Sequence, residues 1–122
     1  FEIMPTVQVM VNDDIEICRK LFRPMVALYV GGMGARNKNF YNDHITRQGW
    51  PDAARKIQDL YLDGKKQEAA GEVPDDLVDA LALIGPRERI RDQVAEWKES
   101  VATTLLVGGD PRAVELMAEL CL

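Results

Sequence analysis

Three short apolar runs, each passing directly into Asp, Gly or Pro and then into a helical pattern, constrain this chain more than any other feature. They are Pro5–Val11, Leu81–Ile84 and Thr103–Val107. Apolar runs of that length, bounded by turn residues and followed by amphipathic segments, are strand-to-helix units, and such units build parallel sheets flanked by helices. Ligands of those sheets collect at the carboxyl ends of the strands. The chain is therefore expected to be α/β and to belong to an enzyme. Three units are too few for a complete (β/α)8 barrel of about 250 residues or for a doubly wound sheet. The 122 residues, 47% of them hydrophobic, can bury one core. Because strand one begins almost at once after Phe1, without an initiator Met, a section of a larger protein is expected.

Asn12-Asp13-Asp14 offers side-chain oxygens that cap a helix, and Ile15, Cys18, Leu21, Phe22, Met25, Val26 and Tyr29 follow at helical spacing. Pro24 lies inside that pattern and removes a backbone donor, which predicts a kink or break near Phe22 to Pro24. Gly31-Gly32-Met33-Gly34 ends the helix. Residues 35–80 then leave the strand-helix rhythm for a helical insertion, with helices predicted over Asn39–Arg47, Pro51–Leu62, Lys65–Gly71 and Pro74–Ala80. After the second strand, Ile90, Val94 and Trp97 recur at helical spacing up to Ser100. Asp110 and Pro111 open the last helix, which carries Val114, Met117, Leu120 and Cys121. The expected organisation is one strand-helix unit over 1–34, the insertion over 35–80, and two strand-helix units over 81–122.

A net charge of −5, with 15 basic residues interspersed among 20 acidic ones, argues against a nucleic-acid partner. No run approaches the ~18 to 20 apolar residues of a membrane span, and no charged-then-apolar leader is present, so no membrane association and a cytoplasmic location are expected. Cys18 and Cys121 fall on apolar helix faces at no metal-ligand spacing, which reads as free thiols in a reducing compartment.

No catalytic residue is assigned. His44, the only histidine, sits on a helix beside Asp43, but nothing resembles a nucleophile elbow, and the scattered carboxylates show no metal spacing. The segment Gly31–Asn42 is the most unusual stretch. Its glycines let backbone amides approach a bound group, Arg36, Asn37, Lys38 and Asn39 can bind an anion, and Phe40 or Tyr41 can stack on a ring. The competing reading is a helix C-cap and solvated turn whose aromatics return to the core. Gly108 and Gly109 occupy a strand-to-helix turn, where amides at a helix N-terminus suit phosphate or carboxylate, though a tight turn needs glycine with or without a ligand. Gly85 holds the corresponding place after the second strand.

Taken together, Arg23 to Asn42, Ala54 with Ile57 to Gly64, Val73 to Asp79, and Gly85 to Ile90 resemble the C-terminal part of the luciferase-like oxidoreductases of the actinobacterial, deazaflavin-dependent kind. The resemblance implies a partial TIM-type (β/α)8 barrel in which this chain supplies strands six, seven and eight, with the helical insertion between the first two. It further implies a deazaflavin coenzyme F420, or flavin mononucleotide (FMN) in relatives, and a hydride passed between that ring and a small organic substrate, the chemistry being the cofactor's. Arg36, Asn37, Lys38, Phe40 and Tyr41 would then face the substrate or the cofactor tail. The first five strands would be missing, so the isolated chain is expected to be inactive. The turn before the last strand reads Ser100-Val101-Ala102, where the family usually has Gly-Val. A second reading, from the residues alone, is a non-catalytic assembly module that associates through exposed sheet edges, with another polypeptide or a copy of itself.

Overall fold

The computed structural model describes all 122 residues. Two compact units divide the chain: Phe1–Arg19 with Asp79–Leu122, and Lys20–Val78.

The first unit is built on a parallel sheet of β1 (Thr6–Val11), β2 (Ala82–Gly85) and β3 (Leu106–Gly108), in the order β2-β1-β3. Val9 lies opposite Leu83 in one ladder, and Val7 lies opposite Val107 in the other. Side chains alternate across a strand, so Val7 and Val9 share one face of β1 and Gln8 and Met10 the other. Helices α6 (Arg87–Lys98) and α7 (Pro111–Cys121) cover the valine face, and Val7, Val9, Leu83, Ile90, Val94, Ala113, Leu116 and Met117 form its core. Asp110 caps α7 by accepting from the Ala113 amide at 2.9 Å.

The strand order corrects one expectation. Strands six, seven and eight of a barrel pair consecutively, which would put β2 in the centre; here β1 is central and pairs with both others. The third strand is also shorter than Thr103–Val107, because the Thr103 and Thr104 amides turn aside to the Ile3 carbonyl and the ladder begins at Leu106.

Helix α1 (Ile15–Ala27) opens behind linked Asx turns: Asn12 accepts from the Asp14 amide at 2.8 Å and Asp14 from the Glu16 amide at 3.0 Å. The expected break is absent, since the helix continues through Pro24. The backbone leaves α geometry only beyond it, in a π-helical turn over Leu28–Gly32.

The second unit continues from that turn into α2 (Phe40–Arg47), α3 (Pro51–Leu62), α4 (Lys66–Gly71) and the start of α5 (Asp75–Leu81). Pro51 opens α3, as a residue without a spare N–H can at a helix start. Ile45, Ala54, Ile57, Ala69, Val73, Leu77 and Val78 are buried in this unit.

Candidate functional site

The glycine-rich segment and its aromatic neighbours lie together in the second unit. Their geometry begins with Tyr61 of α3. A Cβ on Gly31 would stand 2.6 Å from the Tyr61 Cβ, and one on Gly32 would stand 2.9 Å from Cδ1 of the ring and nearer still to Cε1. Side chains do not approach so closely, so both positions need glycine for the tyrosine to lie against the π-helical turn. At Gly34 the close neighbour is the Lys38 carbonyl. At these glycines the space a side chain would fill is taken by the protein's own atoms, so close packing alone requires them.

Two asparagines fix the segment that follows. Asn39 is 1% exposed. Its side-chain oxygen caps α2 by accepting from the Asn42 amide at 3.0 Å, and its nitrogen donates to the Tyr29 and Val30 carbonyls at 3.0 and 3.1 Å. Asn42 donates to the Val30 carbonyl at 3.0 Å and the Ala54 carbonyl at 2.9 Å. The last carbonyls of a helix lack intrahelical partners, and these amides supply them for Tyr29 and Val30, while the bond to Ala54 ties the segment to the first turn of α3. Asn39 is therefore a structural rivet, not an anion ligand. The spacing Asn39-x-x-Asn42 was the available signal for this role; nothing in the sequence announced Tyr61.

On this base the candidate residues divide. Arg36 is tied to Asp59 of α3 by an ion pair, and Asn37 takes a left-handed conformation, φ 66°, at the tip of the turn. Lys38 is exposed and makes no ion pair. Phe40 and Tyr41 are 69% and 42% exposed, so they do not return to the core. They touch two rings that sequence reasoning left out of the site. Tyr29 meets Tyr41 at 4.9 Å and His44 stacks on Phe40 at 6.3 Å.

Gly108 and Gly109 belong to the first unit and have partners there. A Cβ at Gly108 would meet the amide of Gln8 at 2.7 Å, and one at Gly109 would meet the Val9 carbonyl at 2.7 Å and the Ala113 side chain at 2.9 Å. Close approach of the central strand's backbone and of α7 accounts for Gly109, whereas the neighbour at Gly108 is the end of the flexible Gln8 side chain. In the same unit Asp79 accepts from Arg19 Nε at 3.0 Å and lies 3.2 Å from Arg89, a part-buried charge cluster. Cys18 is buried with its Sγ 3.8 Å from the Met10 carbonyl, and burial pushes its thiol pKa up. No group of three or more His, Cys, Asp or Glu residues converges on a metal position. No helix is long and apolar enough to cross a membrane.

The structure defines an α/β class of protein, a parallel sheet with a helical insertion that carries exposed rings and cations. The comparisons with known proteins narrow this. Residues 1–104 match the family described as luciferase-like monooxygenase, and the chain belongs to that family. It is 37% identical over 107 residues to a Mycobacterium tuberculosis protein described as a candidate coenzyme F420-dependent oxidoreductase, a match covering 88% of this chain and 31% of the relative. Its fold is similar to that of a coenzyme F420-dependent tetrahydromethanopterin reductase from Methanopyrus kandleri, with a TM-score of 0.71 and 19% identity, over 97% of this chain and 34% of that one. The chain thus spans about a third of the length of the relatives it matches.

Proposed function

We propose that this chain is the C-terminal section of a cytoplasmic luciferase-like oxidoreductase that passes a hydride between the deazaflavin coenzyme F420 and a small organic substrate, FMN being the alternative coenzyme. In this reading residues 1–34 hold the first strand-helix unit of the section, 35–80 the insertion and 81–122 its last two strand-helix units. The β1–β3 pair belongs to the wall of a partial barrel, and β2 extends the sheet on the other side. The coenzyme supplies the hydride chemistry when bound. The chain's own residues bind and orient: Lys38, Arg36 and Asn37 toward an anionic group, Phe40 and Tyr41 toward a ring. Gly108 and Gly109 shape the turn into α7 at the carboxyl end of β3, where ligands of parallel sheets sit. The isolated chain is inactive, because the rest of the pocket lies in the missing part of the barrel.

The observation that carries this reading is the 37% identity to the coenzyme F420-dependent relative across nearly the whole chain. The test is a chimera in which this chain replaces the matching third of that relative. Coenzyme F420 binding, followed by absorbance titration, is expected in the chimera and not in the 122-residue chain alone. A folded chimera that binds neither coenzyme F420 nor FMN refutes the proposal.

The sheet itself favours one other reading. In the order β2-β1-β3 the outer edges of β2 and β3 are unpaired, as an assembly module would leave them. Light scattering distinguishes the two: a stable dimer of the chain that persists when the chimera fails to bind coenzyme would favour assembly over catalysis.

A further inference from the structure

The central strand keeps one polar side chain unused. Side chains alternate along β1, so Val7 and Val9 are buried in the core under α6 and α7, while Thr6, Gln8 and Met10 share the opposite face. Over β2 that face is closed, since Ala82 and Ile84, the partners of Gln8 and Met10, are buried. Over β3 it is open: Leu106, the partner of Thr6, is exposed, and Gln8, Met10 and Gly108 are half-buried. Threonine, methionine and leucine suit such a surface. A glutamine in the middle of a central strand is out of pattern, because an amide that becomes covered must find a hydrogen-bond partner. The Gln8 side chain makes no hydrogen bond within the chain.

Gly108 sets how that amide lies. Register puts Gln8 opposite Gly108, the last residue of β3, and so level with the turn into α7 at the end of the sheet where ligands collect. The position a Cβ would take on Gly108 is 2.7 Å from both Oε1 and Nε2 of Gln8 and 2.9 Å from its Cδ. Three such similar distances mean that the flat of the amide rests on the glycine, with its acceptor and its donors side by side at the rim. Thr6, Gln8, Met10 and Leu106 bring no charge to this face. The group that suits it is therefore neutral and offers a donor next to an acceptor.

We infer that Gln8 binds the coenzyme by the imide edge of its pyrimidinedione ring, Oε1 accepting from the imide N–H and Nε2 donating to a neighbouring carbonyl. Gly108 is the positioning residue that lets the amide lie flat. The inference rests on the proposed function and deepens it, and it holds for either coenzyme because F420 and FMN share this edge. It uses none of the residues of the second unit.

The test uses the chimera and measures dissociation constants by absorbance titration. Its probes are the coenzyme that the chimera takes up, F420 or FMN, and the same molecule methylated at the imide nitrogen. Methylation removes the donor, so the parent chimera should bind the methylated form about tenfold more weakly. Gln8→Leu should weaken the unmethylated coenzyme by about tenfold and bring the ratio of the two constants near one. Gly108→Ala, whose Cβ displaces the amide without altering it, should lower that ratio as well. Where Gln8→Leu does not fold, the nearly isosteric Gln8→Glu removes the donors and should likewise weaken the unmethylated coenzyme. A merely structural role for Gln8 weakens both forms alike and leaves the ratio unchanged, which overturns the inference. Equal binding of the two forms by the parent overturns it too, as does a Gln8 variant with the parent's affinity. A chimera that binds neither coenzyme refutes the proposed function and this inference with it, whereas one that binds with a ratio Gln8→Leu does not move refutes the inference alone.

Discussion

Replacing Gly32 by Ala tests whether the glycine run serves the protein or a ligand. The new Cβ would stand 2.9 Å from Cδ1 and 3.1 Å from Cζ of Tyr61, with Cε1 closer still, all atoms of a side-chain ring. Overpacking of this kind costs about 1–3 kcal/mol. Glycine to alanine within a helical turn returns about 0.5–1 kcal/mol. The expected net loss is therefore up to about 2.5 kcal/mol in the parent chain, read from urea unfolding followed by circular dichroism. In a Tyr61→Ala background the ring is gone, so Gly32→Ala should be neutral or stabilising, giving a coupling of about 1–3 kcal/mol in the double-mutant cycle. Gly31→Ala supplies the control. Its Cβ would meet the Tyr61 Cβ at 2.6 Å and the Ile57 carbonyl at 3.1 Å, and both atoms survive in Tyr61→Ala. That variant should stay destabilised in either background. Equal effects of Gly32→Ala with and without the ring would refute the reasoning, as would a substitution that leaves stability intact and lowers only ligand affinity.

Asn39→Asp should keep the cap on α2 but set a carboxylate against the Tyr29 and Val30 carbonyls, costing about 2 kcal/mol or more, while Asn39→Ala loses cap and rivet together. A fully stable Asn39→Asp variant would show that the two donated bonds carry nothing. For Cys18, raised above its ordinary value of 9.0 by burial, the unfolded chain loses its proton first as pH rises. Its contribution is therefore complete below the unfolded pKa and is lost as pH rises through the folded one, so the urea midpoint should fall at alkaline pH. Cys18→Ala should flatten that decline, and an unchanged alkaline slope would assign the decline elsewhere. Exposed Cys121 should react with a thiol reagent in the folded chain, whereas buried Cys18 should react only on unfolding.

What could be read from the sequence depended on whether a local signal existed. The strand-to-helix rhythm was legible because alternating valines, Asn12, Asp14, Pro51 and Asp110 act through neighbours a few residues away. Strand order was not, since pairing of β1 with β3 joins Thr6 to Leu106 and no local pattern names that partner. The shortened third strand has the same origin: the Thr103 amide is claimed by Ile3. Pro24 misled because a missing donor permits a helix to continue where surrounding structure holds it, and the irregularity emerged a turn later. Phe40 and Tyr41 are legible as candidates, but their contacts with Tyr29 and His44 are not, because Tyr29 reads as one more apolar position of the first helix and His44 as a surface polar residue.

The glycines have a packing role that motif reading alone does not offer. A run of three glycines near cations suggests backbone recognition of an anion, yet Gly31 and Gly32 give up their side chains to admit Tyr61. That contact holds the π-helical turn against α3, and the Asn39 and Asn42 amides then pin its last carbonyls. The consequence is a rigid floor beneath an exposed loop. Arg36, paired with Asp59, anchors the near side of the turn, and the cap on α2 anchors the far side, leaving Asn37 and Lys38 between them. Rings that start from such a floor lose little further freedom on stacking, which is the condition under which a small exposed surface can bind at all. Loosening the floor should therefore weaken coenzyme binding by the chimera even where no ring is touched: in absorbance titration and urea unfolding, Asn42→Ala should reduce coenzyme affinity along with stability, whereas Lys38→Ala should reduce affinity alone.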